Sequence, residues 1–360
     1  TVTSLQWARF SASSGFRMTP SLSTNTNKPV FRPQSILQGR VGDCWFLSAV
    51  AIVSLRDDLC RQVVLNFPDI PDNGKLSFRL FIDGLQREIV VDNYLPVKTV
   101  ESMASSSCRK SKSKRGVDSL EFSNCGADSC MWVPFLEKAY AKAYGSYHAI
   151  SGGWIHEALF DLTGAPCREI DMSVASFDSE MEWTSMLSYH LAQYPLGCST
   201  SFSSNGIVGH HAYSILEMTE LPIEEHAGAL GGQSKIKAFY QSSSGSGSGS
   251  GSGNSAMMEQ EQKISQHLSA LGTLRLLRIR NPWGRQSFTG AFSHESEFWT
   301  TSMRQRLTQG SKDDGTFWMS YHDFLLHFTS VDVCLADASG SSYGRSFEDF
   351  LASLPSSSYS

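Results

Sequence analysis

Long apolar runs, an excess of basic charge and regularly spaced cysteines are all missing from this sequence. The longest apolar run, Trp45 to Leu55, falls well short of the ~20 residues that a membrane span needs, so no transmembrane segment is expected. Lys and Arg number 30 against 35 Asp and Glu, for a formal net charge of -5, which argues against nucleic acid as a partner. The first residues, TVTSLQWARF, lack the features of a secretory signal. Eight cysteines without regular pairing indicate reduced thiols in a cytoplasmic, intracellular protein.

What is present is a globular composition over a length that favours two domains. The chain has 360 residues, of which 41% are hydrophobic and 18% charged. A helix-rich first half precedes a strand-rich second half, which predicts an α+β fold of two lobes. We expect a first lobe over residues 1–180, a second lobe over 181–340 and a C-terminal tail over 341–360.

Local patterns predict the main elements. A buried helix follows Cys44, a hairpin turns at Asp83–Gly84, and the segment MWVPFLEKAYAKAYGSY is a helix that ends at Gly145. Later strands are predicted at HAYSILEM, KIKAFYQ, LRLLRIRN and VDVCLAD. Two segments are typical of exposed connections: the serine-rich basic run 102–116 and the glycine–serine tether 242–254.

The segment QGRVGDCWFLSA places a cysteine between a polar turn and a buried helix. A free cysteine is often only a small core hydrophobe, but a helix N-terminus also lowers a thiol's pKa. Gly39 and Gly42 allow the sharp turn, and Asp43 suits the capping position before Cys44. The Gln38 amide and the Cys44 backbone N–H are candidate donors to an oxyanion. This turn therefore predicts a nucleophile with its oxyanion hole.

A thiol nucleophile needs a base and a residue that orients the base. The segment GHHAYSIL offers His210 and His211, and only one of them can face Cys44 if side chains alternate along a strand. The segment RNPWG offers Asn281, whose side-chain oxygen can accept the imidazole N–H, and Trp283 to shield that hydrogen bond. Each motif is weak alone, but Cys, His and Asn in this order predict a cysteine hydrolase.

Five motifs together resemble the calpain protease core. They are GDCWFLSA after Gln38, the segment from Glu137 to Gly153, HAYS, RNPWG, and DDGTFWMSYHDF. They follow the family's order over about Arg32 to Cys334. The resemblance implies a two-lobed, papain-like cysteine endopeptidase that acts on protein substrates in the cleft between its lobes.

The resemblance also implies a role for each matching residue. Gln38 matches the oxyanion glutamine, Cys44 the nucleophile, His211 the base and Asn281 its orienter. HAYS therefore selects His211 over His210, which becomes a substrate-supporting residue together with Trp283 and Gly209.

The sequence departs from the family pattern in several places. Glycine usually precedes the catalytic histidine, but here His210 does, and Gly209 is displaced by one residue. The segments 102–116 and 242–254 look like insertions, and the run Gly74–Pro96 is similar to that of atypical, PalB-like calpains. Nothing after Cys334 is long enough for a further domain, so we expect that flanking domains of a longer calpain are missing from this chain.

Calcium is not a firm expectation, because the calcium sites implied by the resemblance look degenerate. One acid remains in each lobe, Glu157 and Asp314. Other residues stand where the family usually has acids: Ser35, Ser287, His294 and Thr316. Calcium prefers several carboxylate and carbonyl oxygens, so weak binding and weak calcium control are expected.

Three alternatives remain open. A transglutaminase-type acyltransferase would use the same Cys–His pair, although with an acidic orienter in place of Asn281. A calpain-like protein could also be a catalytically silent scaffold. A metal site at Cys108, Cys125 and Cys130 is disfavoured by the CGADSC spacing.

Overall fold

The structure is a computed structural model. It describes residues 6–19, 31–66, 69–98, 120–126, 130–222, 273–285, 288–307 and 314–336. The basic run, the tether, the predicted strand KIKAFYQ and the predicted tail lie outside these residues, as do Cys108 and Ser287. Within the described residues no helix is both long and apolar enough to cross a membrane.

Four of the seven described helices lie wholly in the first half of the chain, whereas the described strands divide evenly, five in each half. The helices are α1 (Cys44–Val53), α2 (Asp57–Val63), α3 (Trp132–Ala143), α4 (Ile155–Thr163), α5 (Ser179–Leu191), α6 (Thr301–Arg306) and α7 (Tyr321–His327). The strands are β1 (Gln6–Arg9), β2 (Lys75–Ile82), β3 (Leu85–Asp92), β4 (Tyr94–Val97), β5 (Cys167–Asp171), β6 (Leu196–Thr200), β7 (His211–Pro222), β8 (Thr273–Arg280), β9 (Thr316–Ser320) and β10 (Ser330–Cys334).

Helix α1 lies at the centre of the first hydrophobic core. Every residue from Trp45 to Val53 is buried, as expected of a helix that is apolar on all sides. Phe46 stacks on Tyr140 of α3 with the ring centroids 4.0 Å apart. Pro134 is tolerated in α3 because it lies in the first turn, where a backbone N–H has no intrahelical acceptor.

A six-stranded antiparallel sheet organises the second half, in the order β5-β10-β6-β7-β8-β9. A second core packs Trp183 and Met186 of α5 and Phe324 of α7 with apolar residues of this sheet. A smaller cluster includes Trp299 and Trp318. Sheet and helices together hold α1, β7 and β8, the three elements that carry the predicted site.

The α+β class and the two-lobed arrangement are confirmed. The helix after Cys44, the hairpin at Asp83–Gly84 and the helix before Gly145 are confirmed too, as are β7, β8 and β10. The division into lobes at residue 180 stays a prediction.

Candidate active site

The turn before α1 is packed so closely that glycine is required. A Cβ on Gly39 would lie 2.2 Å from the Phe122 carbonyl oxygen, and one on Gly42 would lie 2.8 Å from Ser151 Oγ. The Gly42 carbonyl accepts a hydrogen bond from the Gly152 N–H at 2.9 Å. These contacts fix the turn and place Cys44 as the first residue of α1, partly exposed.

Gln38 lies on the far side of the same turn. Its side-chain Nε2 donates to the Val41 carbonyl at 2.8 Å, which fixes one N–H of the amide and leaves the second available to a substrate. Its backbone N–H donates to the Pro282 carbonyl at 2.9 Å. The predicted oxyanion donor is therefore tied directly to the RNPWG turn of the other lobe.

His211 is the first residue of β7 and is buried. Thr200 of β6 holds the preceding bend, because its hydroxyl donates to the Val208 carbonyl at 2.6 Å and its oxygen accepts the His211 N–H at 3.3 Å. His210 lies outside the strand and is exposed. Its φ of 50° is left-handed, a conformation that glycine adopts most easily.

Asn281 orients the His211 imidazole. Its Oδ1 accepts a hydrogen bond from His211 Nε2–H at 3.0 Å and a second from the Trp283 backbone N–H at 3.0 Å. The Trp283 ring lies against the His211 ring with centroids 4.7 Å apart. The Trp283 ring therefore covers this hydrogen bond, although the indole itself is 46% exposed.

Buried hydrogen bonds join the helix that carries the cysteine to the strand that carries the histidine. Ser48 Oγ of α1 donates to the Ala212 carbonyl at 3.0 Å, and Ser214 Oγ of β7 donates back to the Ser48 carbonyl at 3.0 Å. The Ala212 backbone also lies close enough to the Cys44 sulfur to lower the pKa of the thiol. Cys44 is therefore in contact with the residue that follows His211, and the imidazole's Nδ1 stays free of Asn281.

Burial sets the charge state of both groups in this conformation. Desolvation raises the pKa of the Cys44 thiol, although backbone N–H donors, that of Ala212 foremost, oppose it. Desolvation lowers the pKa of His211, and the hydrogen bond to Asn281 opposes that shift. The two shifts favour a neutral Cys44 thiol and a neutral His211 imidazole.

Arg280 belongs to the site's scaffold, and the sequence reasoning missed it. It is fully buried, and its guanidinium donates to the backbone carbonyls of Ile36 and Asp314, the latter at 3.0 Å. Burial lowers its pKa to about 10. It joins the segment before Gln38 to the turn after α6. The one available signal was its position next to Asn281.

The predicted calcium residues do not form a cation site. Glu157 Oε2 accepts the Trp154 N–H at 3.3 Å and caps α4, while Asp314 Oδ1 accepts the Thr316 N–H at 2.8 Å. In the part of the chain that the structure describes, no three His, Cys, Asp or Glu side chains cluster as metal ligands. A carboxylate that already accepts a backbone N–H donor offers calcium few of the several oxygens that it prefers. The strength of calcium control stays a prediction.

Comparison with known proteins identifies the family. The profile described as calpain family cysteine protease matches residues 2–231 and 257–335. The chain is 30% identical over 311 residues to the calpain-type cysteine protease DEK1 of Zea mays, covering 83% of this chain and 11% of that protein. It is also 30% identical over 304 residues to calpain-12 of Homo sapiens and to the calpain-1 catalytic subunit of Bos taurus, covering 83% of this chain and 34% of each. The chain thus spans about a third or less of these relatives. It belongs to the calpain family of cysteine proteases and has that family's papain-like core.

Proposed function

We propose that this chain is the protease core of an intracellular calpain-type cysteine endopeptidase, with Cys44 as nucleophile, His211 as base and Asn281 as its orienter. The proposal rests chiefly on one observation, the 3.0 Å hydrogen bond from His211 to Asn281, which the Trp283 ring covers. His211 begins β7, and buried hydrogen bonds tie this strand to α1, the helix that begins at Cys44. The seven described cysteines form no disulfide bond, which supports an intracellular location.

Acylation follows from this geometry. The His211 Nδ1 takes the thiol proton as the Cys44 sulfur attacks the peptide carbonyl, and Asn281 steadies the imidazolium. The oxyanion is held by the Gln38 amide and the Cys44 backbone N–H. His211 then passes its proton to the leaving amine, which gives an acyl-enzyme on Cys44. Water, deprotonated by His211, releases the second product.

A catalytically silent scaffold is the second candidate. The observation that favours it is the pair of opposed pKa shifts, raised at Cys44 and lowered at His211, because both work against a resting thiolate–imidazolium pair. An acyltransferase gains no such support, since the orienter is an amide and not an acid.

Labelling with a cysteine-directed peptidyl epoxide separates the two candidates. An endopeptidase should be modified once, at Cys44, as located by mass spectrometry, and should cleave casein. The His211→Ala variant is the matched control and should label far more slowly. A folded protein that neither labels at Cys44 nor cleaves casein would be a scaffold.

A further inference from the structure

Asp43, the residue before the nucleophile, forms a buried pair with Glu137. Asp43 stands at the N-cap position of α1, yet its carboxylate caps no backbone N–H there, contrary to the prediction from sequence. Instead its carboxyl group faces that of Glu137 on α3, close enough for the two groups to share a proton, and neither Asp43 oxygen has another hydrogen-bond partner among the described residues. Asp43 is 0% exposed and Glu137 1% exposed.

The surroundings decide which member of this carboxyl pair holds the proton. Two carboxyl groups form a hydrogen bond only if one of them is protonated. Glu137 Oε2 accepts the Ser123 backbone N–H at 3.0 Å and the Ser123 hydroxyl at 2.8 Å, as a carboxylate does. Among the described residues, no N–H or hydroxyl of another residue donates to Asp43. Glu137 is therefore the anion, and Asp43 donates to it.

Burial and charge act in the same direction on this pair. Desolvation raises the pKa of Glu137 to about 7. Desolvation raises the pKa of Asp43 well above its ordinary value, and the nearby Glu137 charge adds to the rise. The other titratable groups that act on the pair, in the described part of the chain, are Tyr147, whose own pKa is raised by burial, and Cys44.

The location of the charge matters to the nucleophile. A negative charge on Asp43 raises the pKa of the adjacent Cys44 thiol. With the proton on Asp43, the single charge of the pair stays on the side of Ser123, away from the sulfur.

We propose that Glu137 is a positioning residue that keeps Asp43 protonated, so that the thiolate of Cys44 forms beside a neutral side chain. The inference rests on the proposed role of Cys44 and deepens it, because it assigns the neighbouring acid a neutral state. The Asp43–Glu137 pair thus keeps its negative charge on Glu137, next to the turn that carries the candidate oxyanion donors.

Isosteric variants control where the negative charge of the pair lies. In Glu137→Gln the amide donates to Asp43, which becomes the anion next to Cys44. In Asp43→Asn the amide donates to Glu137, as protonated Asp43 does, and the charge stays where it was. The double variant, Asp43→Asn with Glu137→Gln, carries no charge at the pair.

The readout is the pH dependence of Cys44 alkylation by iodoacetamide, followed on the Cys44 peptide by mass spectrometry. We expect the midpoint to rise by about one pH unit in Glu137→Gln, so that alkylation at neutral pH slows about tenfold. We expect no rise in Asp43→Asn or in the double variant. Equal midpoints in Glu137→Gln and the parent, or an equal rise in Asp43→Asn, would overturn the proposal.

Two further features keep the test decisive. Alkylation needs no peptide turnover, so a parent that cleaves nothing counts against the endopeptidase, and the alkylation profile still decides the role of Glu137. If Glu137→Gln does not fold, thermal unfolding of Asp43→Asn decides. Folded Asp43 keeps a proton that the unfolded chain releases near about pH 4, so the parent should lose stability relative to Asp43→Asn as pH rises above that value. A difference that does not change with pH would overturn the proposal.

Discussion

The two adjacent histidines show how a single residue's backbone decides its role. In the sequence, the alternation of side chains along a strand allowed only one of His210 and His211 to face Cys44, and the HAYS resemblance selected His211. In the structure His210 precedes β7 in a left-handed bend, so the conformation of the bend and not strand alternation puts it in solvent. The family's usual glycine before the histidine fits the same backbone, and His210 adopts it at a cost of about 1 kcal/mol.

The proposed base can be tested against its neighbour. We expect His211→Ala to lower kcat/KM for peptide hydrolysis by about a thousandfold or more, because the thiol then has no proton acceptor. His210→Ala should change KM with kcat nearly unchanged, because the side chain is exposed and outside the hydrogen bond to Asn281. Steady-state kinetics on a fluorogenic peptide measures both, and the reverse pattern would move the base to His210.

At the scale of elements, the sequence was informative wherever a pattern is local. The apolar run after Cys44, the turn at Asp83–Gly84 and the alternation in HAYSILEM each predicted an element that the structure contains. Contacts between segments far apart in the chain have no local sequence pattern that predicts them. The Gln38 N–H that reaches the Pro282 carbonyl joins segments far apart in the chain, and nothing in either segment alone predicts the pairing.

Asp43 illustrates the same limit at a helix terminus. An aspartate before a helix usually caps it, and that expectation was wrong here because Glu137, more than ninety residues later, competes for the side chain. The candidate triad, in contrast, could be read from three short motifs, since each residue's neighbours are distinctive. What the sequence could not supply was the packing that buries them.

Among the residues that join distant segments, Arg280 is the one whose replacement should lower the free energy of unfolding most. Arg280→Lys should lower the free energy of unfolding by about 2 kcal/mol. The planar guanidinium has separate N–H groups directed at the Ile36 and Asp314 carbonyls, and the compact ammonium of lysine does not. Hydrolysis should fall as well, since the turns that carry Gln38 and Asn281 would shift.

Arg278→Lys, on the same strand, is the matched control. Its guanidinium pairs with Glu217 at 3.0 Å, and a lysine can keep a single ion pair, so the loss should stay below about 1 kcal/mol. Urea unfolding measures both variants. Equal losses of unfolding free energy in the two variants would show that the hydrogen bonds from Arg280 to two carbonyls stabilise the protein no more than a single ion pair does.

At the scale of the whole molecule, an ion pair between His156 and Asp332 links helix α4 to strand β10. His156 Nδ1 lies 2.7 Å from Asp332 Oδ1, and Asp332 is buried. The hydrogen bond to Asp332 raises the pKa of His156, and burial opposes the shift. The histidine therefore binds its proton more tightly when the protein is folded.

The sign of the pH dependence follows from that shift. The stabilisation from protonated His156 is fully present below the unfolded pKa of about 6.5 and is lost as pH rises through the higher folded pKa. We expect His156→Gln to lower the melting temperature at pH 5.5 and to have less effect at pH 8.5. A larger effect at pH 8.5 would show that the pair acts through packing alone.

Calcium control is also a property of the whole molecule. Because the carboxylates of Glu157 and Asp314 already accept backbone N–H donors, activity should change little across a calcium titration relative to a chelated control. A steep rise at low calcium that disappears in Glu157→Ala or Asp314→Ala would contradict this prediction.

The central claim, that Cys44 is the nucleophile of a peptide-bond hydrolase, is tested most directly by casein hydrolysis in the parent and in Cys44→Ala, purified side by side. We predict that the parent cleaves casein and that the variant, with unchanged circular dichroism, is slower by several orders of magnitude, because no acyl-enzyme can form without the sulfur. Cleavage by Cys44→Ala at the rate of the parent would contradict the assignment of the site.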